Sequence, residues 1–494
     1  MSSENIEQLK QKAVTGTIWN FLSGIVTKLA SMIVQLVLAR LIVPEEFGTI
    51  AILNVFINIS NILITNGFAT AIIQKKDLTD KDISSAYYMG IGISFLLYVT
   101  IFFSAPFVAD FYHMPDLTLV LRVYSIIVII AGFRSVHGAL INKEMKFRVN
   151  MWRGLITVVV QGSLGIFLAF CGYGVWALVI SYIVGNLVSG LYLGLMVKFK
   201  PKPLFSWTSV KSMFKFSSNV LLSSLFNTVY SDIRALLIGK VYTTETLAYY
   251  DRANLIRGYI FDTTIGAIST VMLPVLSKVN DDLDKVRQGL RRIVRLNMFV
   301  STPMRVGLII VAKPLILLML GSQWAESVPF LQLICLTNLL APTTNRTNAY
   351  LAIGKSGIAL RSQLINKGAI LVGILLTIRI SVYMVVISAL IGNLIGFVEG
   401  LFTNKKHLGY TYKQQFADIL PALIFSIMMG TPVYLLGLLN LHYIVTLALQ
   451  CITGLAAYVL VSIVFKYESF YYFINVVKKL ILKKKGAKTD VQVD

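Results

Sequence analysis

The chain has 494 residues, 56% of them hydrophobic and only 14% charged, with a formal net charge of +22. A soluble protein of this length would need more polar surface, so the composition indicates a polytopic membrane protein. The positive charge would suit nucleic acid, but its placement, set out below, argues against that partner. Cys171, Cys335 and Cys451 lie in or beside apolar segments without CxxC or Cys/His spacing. They read as packing residues, and neither a disulfide nor a metal site is expected.

A spanning helix needs about 20 mostly apolar residues, and fourteen such segments follow one another. The polar start Met1–Lys12 leads, with no small-residue cleavage site, into Val14–Leu38, which is expected to be retained. Gly48–Ile73, Ile83–Ala105 and Leu117–Ile141 follow. Gly154–Phe170 and Gly174–Val197 are parted only by Cys171-Gly-Tyr-Gly174. Phe216–Ile238 and Leu247–Leu276 form the seventh and eighth segments and carry charges well inside their limits. Each such charge costs about 2.5–3.5 kcal/mol on insertion scales, so it is expected to face protein or a wet cavity. The remaining segments are Ile293–Leu320, Val328–Ile353, Gly357–Ile378, Val382–Phe402, Ile419–Leu438 and Tyr443–Phe465.

The turns after the first and seventh segments match at one offset. Arg40 falls on Lys240, Glu45 on Glu245, Phe47 on Leu247 and Gly48 on Ala248. The match points to two copies of one membrane unit, and both copies start in the same direction, which makes them parallel repeats. The expected fold is an all-α polytopic membrane protein of two six-helix lobes plus two added helices. The lobes would be 1–203 and 204–409, with 410–494 holding the last two helices and a basic tail.

The loops set the orientation. With the termini on one side, that side receives thirty-two Lys and Arg, while the opposite turns and helix ends hold four: Arg40, Arg122, Lys240 and Arg379. Such a bias places both termini in the cytoplasm. The bases then face anionic membrane lipids, each favoured by about 1 kcal/mol, and nucleic acid becomes unnecessary. The longest internal insert, Lys278–Arg295, reads as a surface helix, and Lys483–Lys485 as a solvated run at the membrane surface.

Nine bases remain inside the segments: Lys28, Arg134, Arg234, Arg252, Arg257, Arg305, Lys313, Arg346 and Lys367. Those near helix ends can snorkel to the interface, a reading that suits Arg234, Arg252 and Lys313. It fits Lys28, Arg134 and Arg257 poorly, and Arg305 and Arg346 are intermediate. The acids in the segments are Asp232, Asp251, Asp262 and Glu399. Asp232, Asp251 and Asp262 are charge partners for these bases or coupling acids, and the excess stays positive. A cavity lined this way suits an anion, with Arg suited to phosphate oxygens. Asn54, Asn58, Asn61 and Thr65 share one helical face. They form either interhelical hydrogen bonds or a wet wall for a hydroxyl-rich sugar. Gly392, Gly396 and Gly400 form a small-residue stripe for close packing.

Enzyme signals are missing: there is no G-x-x-x-x-G-K-[ST], G-x-S-x-G or H-E-x-x-H. No catalytic residue and no cofactor is expected, and movement of a substrate would draw on an ion, voltage or substrate gradient.

Six motifs carry a family resemblance. They are Leu38-Ala-Arg-Leu-Ile-Val-Pro44-Glu-Glu-Phe-Gly48, Gly67-Phe-Ala-Thr-Ala-Ile-Ile-Gln74-Lys-Lys-Asp77-Leu-Thr79, Gly172-Tyr-Gly-Val-Trp176-Ala-Leu178, Leu236-Leu-Ile-Gly239, Tyr249-Tyr-Asp-Arg252-Ala253 and Leu273-Pro-Val-Leu-Ser277. In order and spacing they resemble Wzx-type polysaccharide flippases, nearest the colanic acid and teichuronic acid exporters. These belong to the multidrug/oligosaccharidyl-lipid/polysaccharide superfamily. The resemblance implies a fourteen-helix fold that carries undecaprenyl-pyrophosphate-linked oligosaccharide from the inner to the outer leaflet. It also implies a cationic cavity, which favours Lys28 and Arg257; neither has an acid one helical turn away. Polysaccharide polymerase and glycosyltransferases are the implied partners, and the bacterial inner membrane the implied location. A lipid II flippase and a drug or cation antiporter share the fold, although a cationic interior argues against cationic drugs. A membrane glycan polymerase or ligase is the enzyme alternative, but such proteins usually carry a substantial external loop, which this chain lacks.

The charge bias yields a topology prediction. In a background without native cysteines, single cysteines at Glu45 and Glu245 should react with an impermeant reagent in intact cells. Cysteines at Lys75, Lys202 and Lys405 should not. Labelling at position 202 would overturn the orientation.

Overall fold

The computed structural model describes residues 24–475 apart from Lys76, Lys198, Lys278, Asn280 and Asn440. The polar start, the beginning of Val14–Leu38 and the run Lys483–Lys485 lie outside the described residues. Side chains of residues 263–275 are likewise outside it, as are those of Phe216 and Asn345.

Every described element is helical, and no strand occurs among the described residues. The helices are α1 (Gly24–Leu41), α2 (Pro44–Gln74), α3 (Asp80–Tyr112), α4 (Leu117–Tyr124), α5 (Ile126–Lys143), α6 (Phe147–Phe170), α7 (Val175–Met196) and α8 (Trp207–Val241). They continue as α9 (Thr244–Ser277), α10 (Leu283–Met319), α11 (Ser327–Thr337), α12 (Arg346–Ala352), α13 (Ser356–Thr377), α14 (Val382–Leu408), α15 (Tyr412–Gly437) and α16 (Tyr443–Val464). The chain is a multi-pass membrane protein: among the described residues eleven spans, counting α4 and α5 as one, are long and apolar enough to cross a bilayer. The bent pair Ser327–Thr337 and Ala341–Ala352 brings the number to twelve.

Fourteen spans was the expectation, and α8 and α9 account for the difference. At 35 and 34 residues they are long enough to cross, but Lys211, Lys215, Asp232, Arg234 and many hydroxyls make α8 more polar than most of the other spans. The apolar half of α9 falls largely on residues 263–275, whose side chains lie outside the described ones. Two spans are also less continuous than expected. The fourth breaks at Ser125, between α4 and α5. The tenth bends by 43° near Pro342, which supplies no N–H to continue a helix.

Local chemistry explains several helix limits. Pro44 opens α2 with Glu45 and Glu46 in its first turn, where a missing N–H costs nothing and carboxylates meet the positive end of the helix dipole. Thr79 and Asp82 form a capping box at the start of α3. The buried Asp82 also takes Lys75 Nζ at 2.7 Å. Thr411 and Gln414 form the equivalent box on α15. Gly409, at φ 64°, ends α14 in the left-handed conformation that glycine adopts freely.

The chain divides into two compact units, Met1–Asp251 and Arg252–Asp494, with the division falling within α9. In the first, α2 packs on α5 and α8, and Phe68, Ile72, Val136 and Met213 form a buried cluster. In the second, α10 packs on α15 around Leu290, Met298, Tyr350, Tyr410 and Ile419.

Each unit contains a proline inside a helix whose freed carbonyl is satisfied by a neighbour. Pro106 in α3 releases the carbonyl of Phe102. Arg122 Nε donates to that oxygen at 3.1 Å, and its guanidinium lies 4.4 Å from the Phe102 ring centre. Pro303 in α10 releases the carbonyl of Phe299, and the Tyr458 hydroxyl of α16 donates to it at 2.8 Å. In hydrocarbon no water can take that role. Tyr458→Phe should therefore lower stability by about 1 kcal/mol, read as a lower melting temperature of the detergent-purified protein. An unchanged melt would mean that another group satisfies the carbonyl.

Candidate functional site

The two matching turns meet in the structure. A Cβ built on Gly48 would stand 1.9 Å from the backbone oxygen of Thr244, so only glycine allows this approach of α2 to the start of α9. Nearby, a Cβ on Gly239 would touch Leu247 at 3.1 Å and Ile52 at 3.2 Å. Ile238 and Leu247 are fully buried here, whereas Val220, Leu222 and Phe226 of α8 are exposed. Within this unit α2 and α8 touch at the turns and again farther along α8, where the Ser217 hydroxyl donates to the Gly67 carbonyl and Phe68 packs with Met213.

The polar face of α2 looks onto this region. Asn54 accepts from the Tyr124 hydroxyl at 2.8 Å, and Asn58 Nδ2 donates to Asp232 of α8 at 3.1 Å. Ser231 donates to the other oxygen of Asp232 at 2.9 Å. Asn54 and Asn58 thus make interhelical hydrogen bonds. Asn61 differs: its Oδ1 is buried with no hydrogen-bond partner among the described residues. Asp251 is half-buried.

The intramembrane bases separate by environment. Lys28 is exposed on α1. Arg134 of α5 donates to Asn186 Oδ1 of α7 at 2.7 Å, a neutral partner. Arg234 donates to the Tyr250 hydroxyl at 3.0 Å. Arg252 is buried at the start of the second unit. Arg257 donates to Asn254 at 3.0 Å and to Asp262 at 3.2 Å. Asp262, named from sequence as a charge partner or coupling acid, lies five residues on and reaches Arg257. That carboxylate is 55% exposed, so water screens the pair and it is weak. Arg305 is 3% exposed, with its guanidinium 4.7 Å from the Phe261 ring centre. Its Nη1 is buried with no hydrogen-bond partner among the described residues.

Arg346 is the base most fully held. It donates to the Gly396 carbonyl at 2.7 Å and to Glu399 at 3.3 Å. Glu399 also accepts from Ser362 at 2.9 Å and Thr403 at 2.6 Å. A Cβ on Gly400 would come within 2.5 Å of the Arg346 guanidinium, so the glycine stripe on α14 makes room for this side chain as well as for helix packing. Beside it lies a polar cavity of about 330 Å³ lined by Arg346, Asn348, Ser362, Gln363, Asn366 and Lys367. A second cavity, of about 630 Å³ and almost wholly apolar, runs between α10, α15 and α16 past Met304, Gly307, Leu447, Cys451 and Leu455.

The sequence reading missed a buried carboxylate at Asp418. It accepts from Arg291 at 2.7 Å, from Arg295 at 2.5 Å and from the Tyr410 hydroxyl at 2.7 Å. Burial, and then the charge of Asp418, push the Tyr410 phenol well above its usual range. The signal in sequence is an acid directly before the thirteenth apolar segment.

The model of the family described as polysaccharide biosynthesis protein matches residues 37–329. The chain belongs to that family. Its members include the polysaccharide exporters of the multidrug/oligosaccharidyl-lipid/polysaccharide superfamily, so the resemblance carried by the sequence motifs is borne out. The lipopolysaccharide biosynthesis protein WzxC of Escherichia coli (strain K12) is 23% identical over 68% of this chain and 69% of its own length. The teichuronic acid biosynthesis protein TuaB of Bacillus subtilis (strain 168) is 25% identical over 61% of this chain and 63% of its own. The inward closed structure of the lipid II flippase MurJ superposes with a TM-score of 0.72 at 17% identity, covering 92% of this chain and 98% of that one. That likeness shows a shared fold. The family match takes in Arg134, Arg252, Arg257 and Arg305 and leaves out Lys28 and Arg346.

Arg346 and Glu399 form a buried pair whose members can be tested separately. Arg346→Ala leaves Glu399 uncompensated, a change that commonly costs about 3–5 kcal/mol. The variant should lose membrane abundance, and Arg346→Ala with Glu399→Gln should regain much of it. A double variant as scarce as the single one would show that Arg346 is not there to balance Glu399.

Proposed function

We propose that this protein is a flippase that moves undecaprenyl-pyrophosphate-linked oligosaccharide from the inner to the outer leaflet for surface polysaccharide assembly. The observation that carries it is the family match over residues 37–329, the stretch that also holds Arg134, Arg257 and Arg305. Arg134 rests on an amide, Arg305 on a ring, and Arg257 on a half-exposed carboxylate. Each retains capacity for an anion. Desolvating a diphosphate without compensating cations would outweigh its binding, and guanidinium groups match phosphate oxygens. The polar cavity beside Arg346 suits hydroxyl-rich sugar, and the apolar cavity along α16 suits a polyprenyl chain.

Movement follows alternating access between two lobes, 1–203 and 204–409, with 410–494 as an addition. Gly48 against Thr244 is the contact that closes one end. Lys28 and Arg257 take the diphosphate, Arg134, Arg252, Arg305 and Arg346 extend the cationic surface, and Asn54, Asn58 and Asn61 form a polar wall. Asp232, Asp251 and Asp262 balance charge or couple an ion. The protein breaks no covalent bond. It sits in the bacterial inner membrane with both termini cytoplasmic, taking substrate from glycosyltransferases and passing it to a polymerase.

Deleting the gene should stop one surface polysaccharide and leave its lipid-linked precursor on the cytoplasmic face. Lys28→Ala and Arg257→Ala should each abolish export at near-normal protein abundance, and Arg257→Lys should keep part of it. Surface polysaccharide would be quantified against membrane abundance. Normal export by either alanine variant would remove that residue from the substrate site. If Arg257→Ala is scarce and Asp262→Asn restores it, the residue is structural.

A further inference from the structure

Helix α10 is longer than a bilayer requires. Its 37 residues span about 55 Å at about 1.5 Å each, against a hydrocarbon core of about 30 Å. Its first turns are therefore free to lie at the membrane surface. There Lys285, Gln288, Arg291, Arg292 and Arg295 line a cavity of about 420 Å³, closed by Leu276 and Val279 and by Ser469 and Tyr472 of a helical stretch over residues 468–475.

Two of these bases are fixed in place. Asp418, 1% exposed, takes Arg291 through Nε at 2.7 Å and Nη2 at 3.1 Å. It takes Arg295 through Nε at 2.5 Å, and Arg295 Nη1 reaches Glu468 at 2.7 Å. A guanidinium has five N–H donors, so Arg291 Nη1 and Arg295 Nη2 remain for the cavity. Arg292 stacks on Tyr472 at 4.7 Å and has no carboxylate partner among the described residues. Among the described residues Lys285 pairs with Asp282 at 3.2 Å, where both are well exposed. The cavity thus holds four bases and one carboxylate, Glu468, at its wall. Its guanidinium groups are oriented by a buried acid, and its apolar rim is formed by Leu276, Val279 and Leu296.

We propose that this cavity binds the phosphate group of an anionic phospholipid and so anchors α10 and the 468–475 stretch to the lipid surface. It is separate from the bases assigned to the transported substrate. The chemistry fits: forked donors for phosphate oxygens, a stacked arginine and apolar walls for the glycerol and first methylenes. Basic pockets between helices at the membrane surface are suited to such head groups.

Lys285 and Arg292 are exposed and take no part in the Asp418 cluster, so they can be changed without breaking it. The full-length protein would be purified and melted in nanodiscs of phosphatidylcholine alone or with phosphatidylglycerol. Retained lipid would be identified by native mass spectrometry. The wild type should melt higher with phosphatidylglycerol and retain it. Lys285→Ala with Arg292→Gln should reduce that retention by about 30-fold, since each base near anionic lipid contributes about 1 kcal/mol. Arg292→Lys should keep part of it. A matching rise with inorganic phosphate in phosphatidylcholine, lost in the double variant, would support the phosphate site but make free phosphate the ligand. If wild type and double variant respond equally to phosphatidylglycerol and to inorganic phosphate, the proposal is wrong.

Discussion

Water is absent from the interior of a bilayer, so every polar group placed there has to find its partner within the protein or its cargo. The structure can be read as a set of answers to that constraint. Backbone groups are consumed by helices, and where Pro106 and Pro303 free a carbonyl, Arg122 and Tyr458 take it up. Asn58 is matched to Asp232, and Arg346 to Glu399 and a glycine carbonyl. The same rule exposes what is left over. Arg305 has a ring where a carboxylate would be expected, and Asn61 has a buried oxygen without a donor among the described residues. Cations left over inside a transporter are what an anionic cargo needs.

Small residues decide how close the helices come. Gly48 lets α2 touch the backbone at the start of α9, and Gly400 leaves the space that the Arg346 guanidinium fills. The first makes a tight contact where α8 turns into α9. The second joins packing to charge, because a side chain at position 400 would displace the guanidinium from Glu399. Neither glycine is needed here for an unusual backbone angle; both are needed for space.

Much of the fold was legible in sequence because spanning helices are written as long apolar runs. The limits of α13, α14 and α16 agree with the apolar segments to within a few residues, except where α14 continues as a more polar extension to Leu408. Legibility failed where other terms compete with hydropathy. Helix α8 carries Lys211, Lys215, Asp232 and Arg234 and is one of the more polar helices read as spans. Ser125 and Pro342 interrupt runs that read in sequence as single spans. The long amphipathic start of α10 was expected as a surface helix, but not its continuity with the next span. Residue pairing was harder still. Arg257 with Asp262 was within reach of sequence, being on one helix. Asp418 with Arg291 and Arg295 was not, because more than a hundred residues separate partners that only packing of α15 on α10 brings together.

The central claim is that the positive interior selects an anionic carrier lipid. Purified protein in liposomes offers the most direct measurement: transfer of a fluorescent oligosaccharide from one leaflet to the other. The same sugar would be attached through a diphosphate to a polyprenyl chain, or through an uncharged glycosidic bond to that chain. The account predicts rapid transfer of the diphosphate-linked sugar and little of the uncharged one. Equal transfer of both, or transfer of neither by protein shown to be folded, would contradict it.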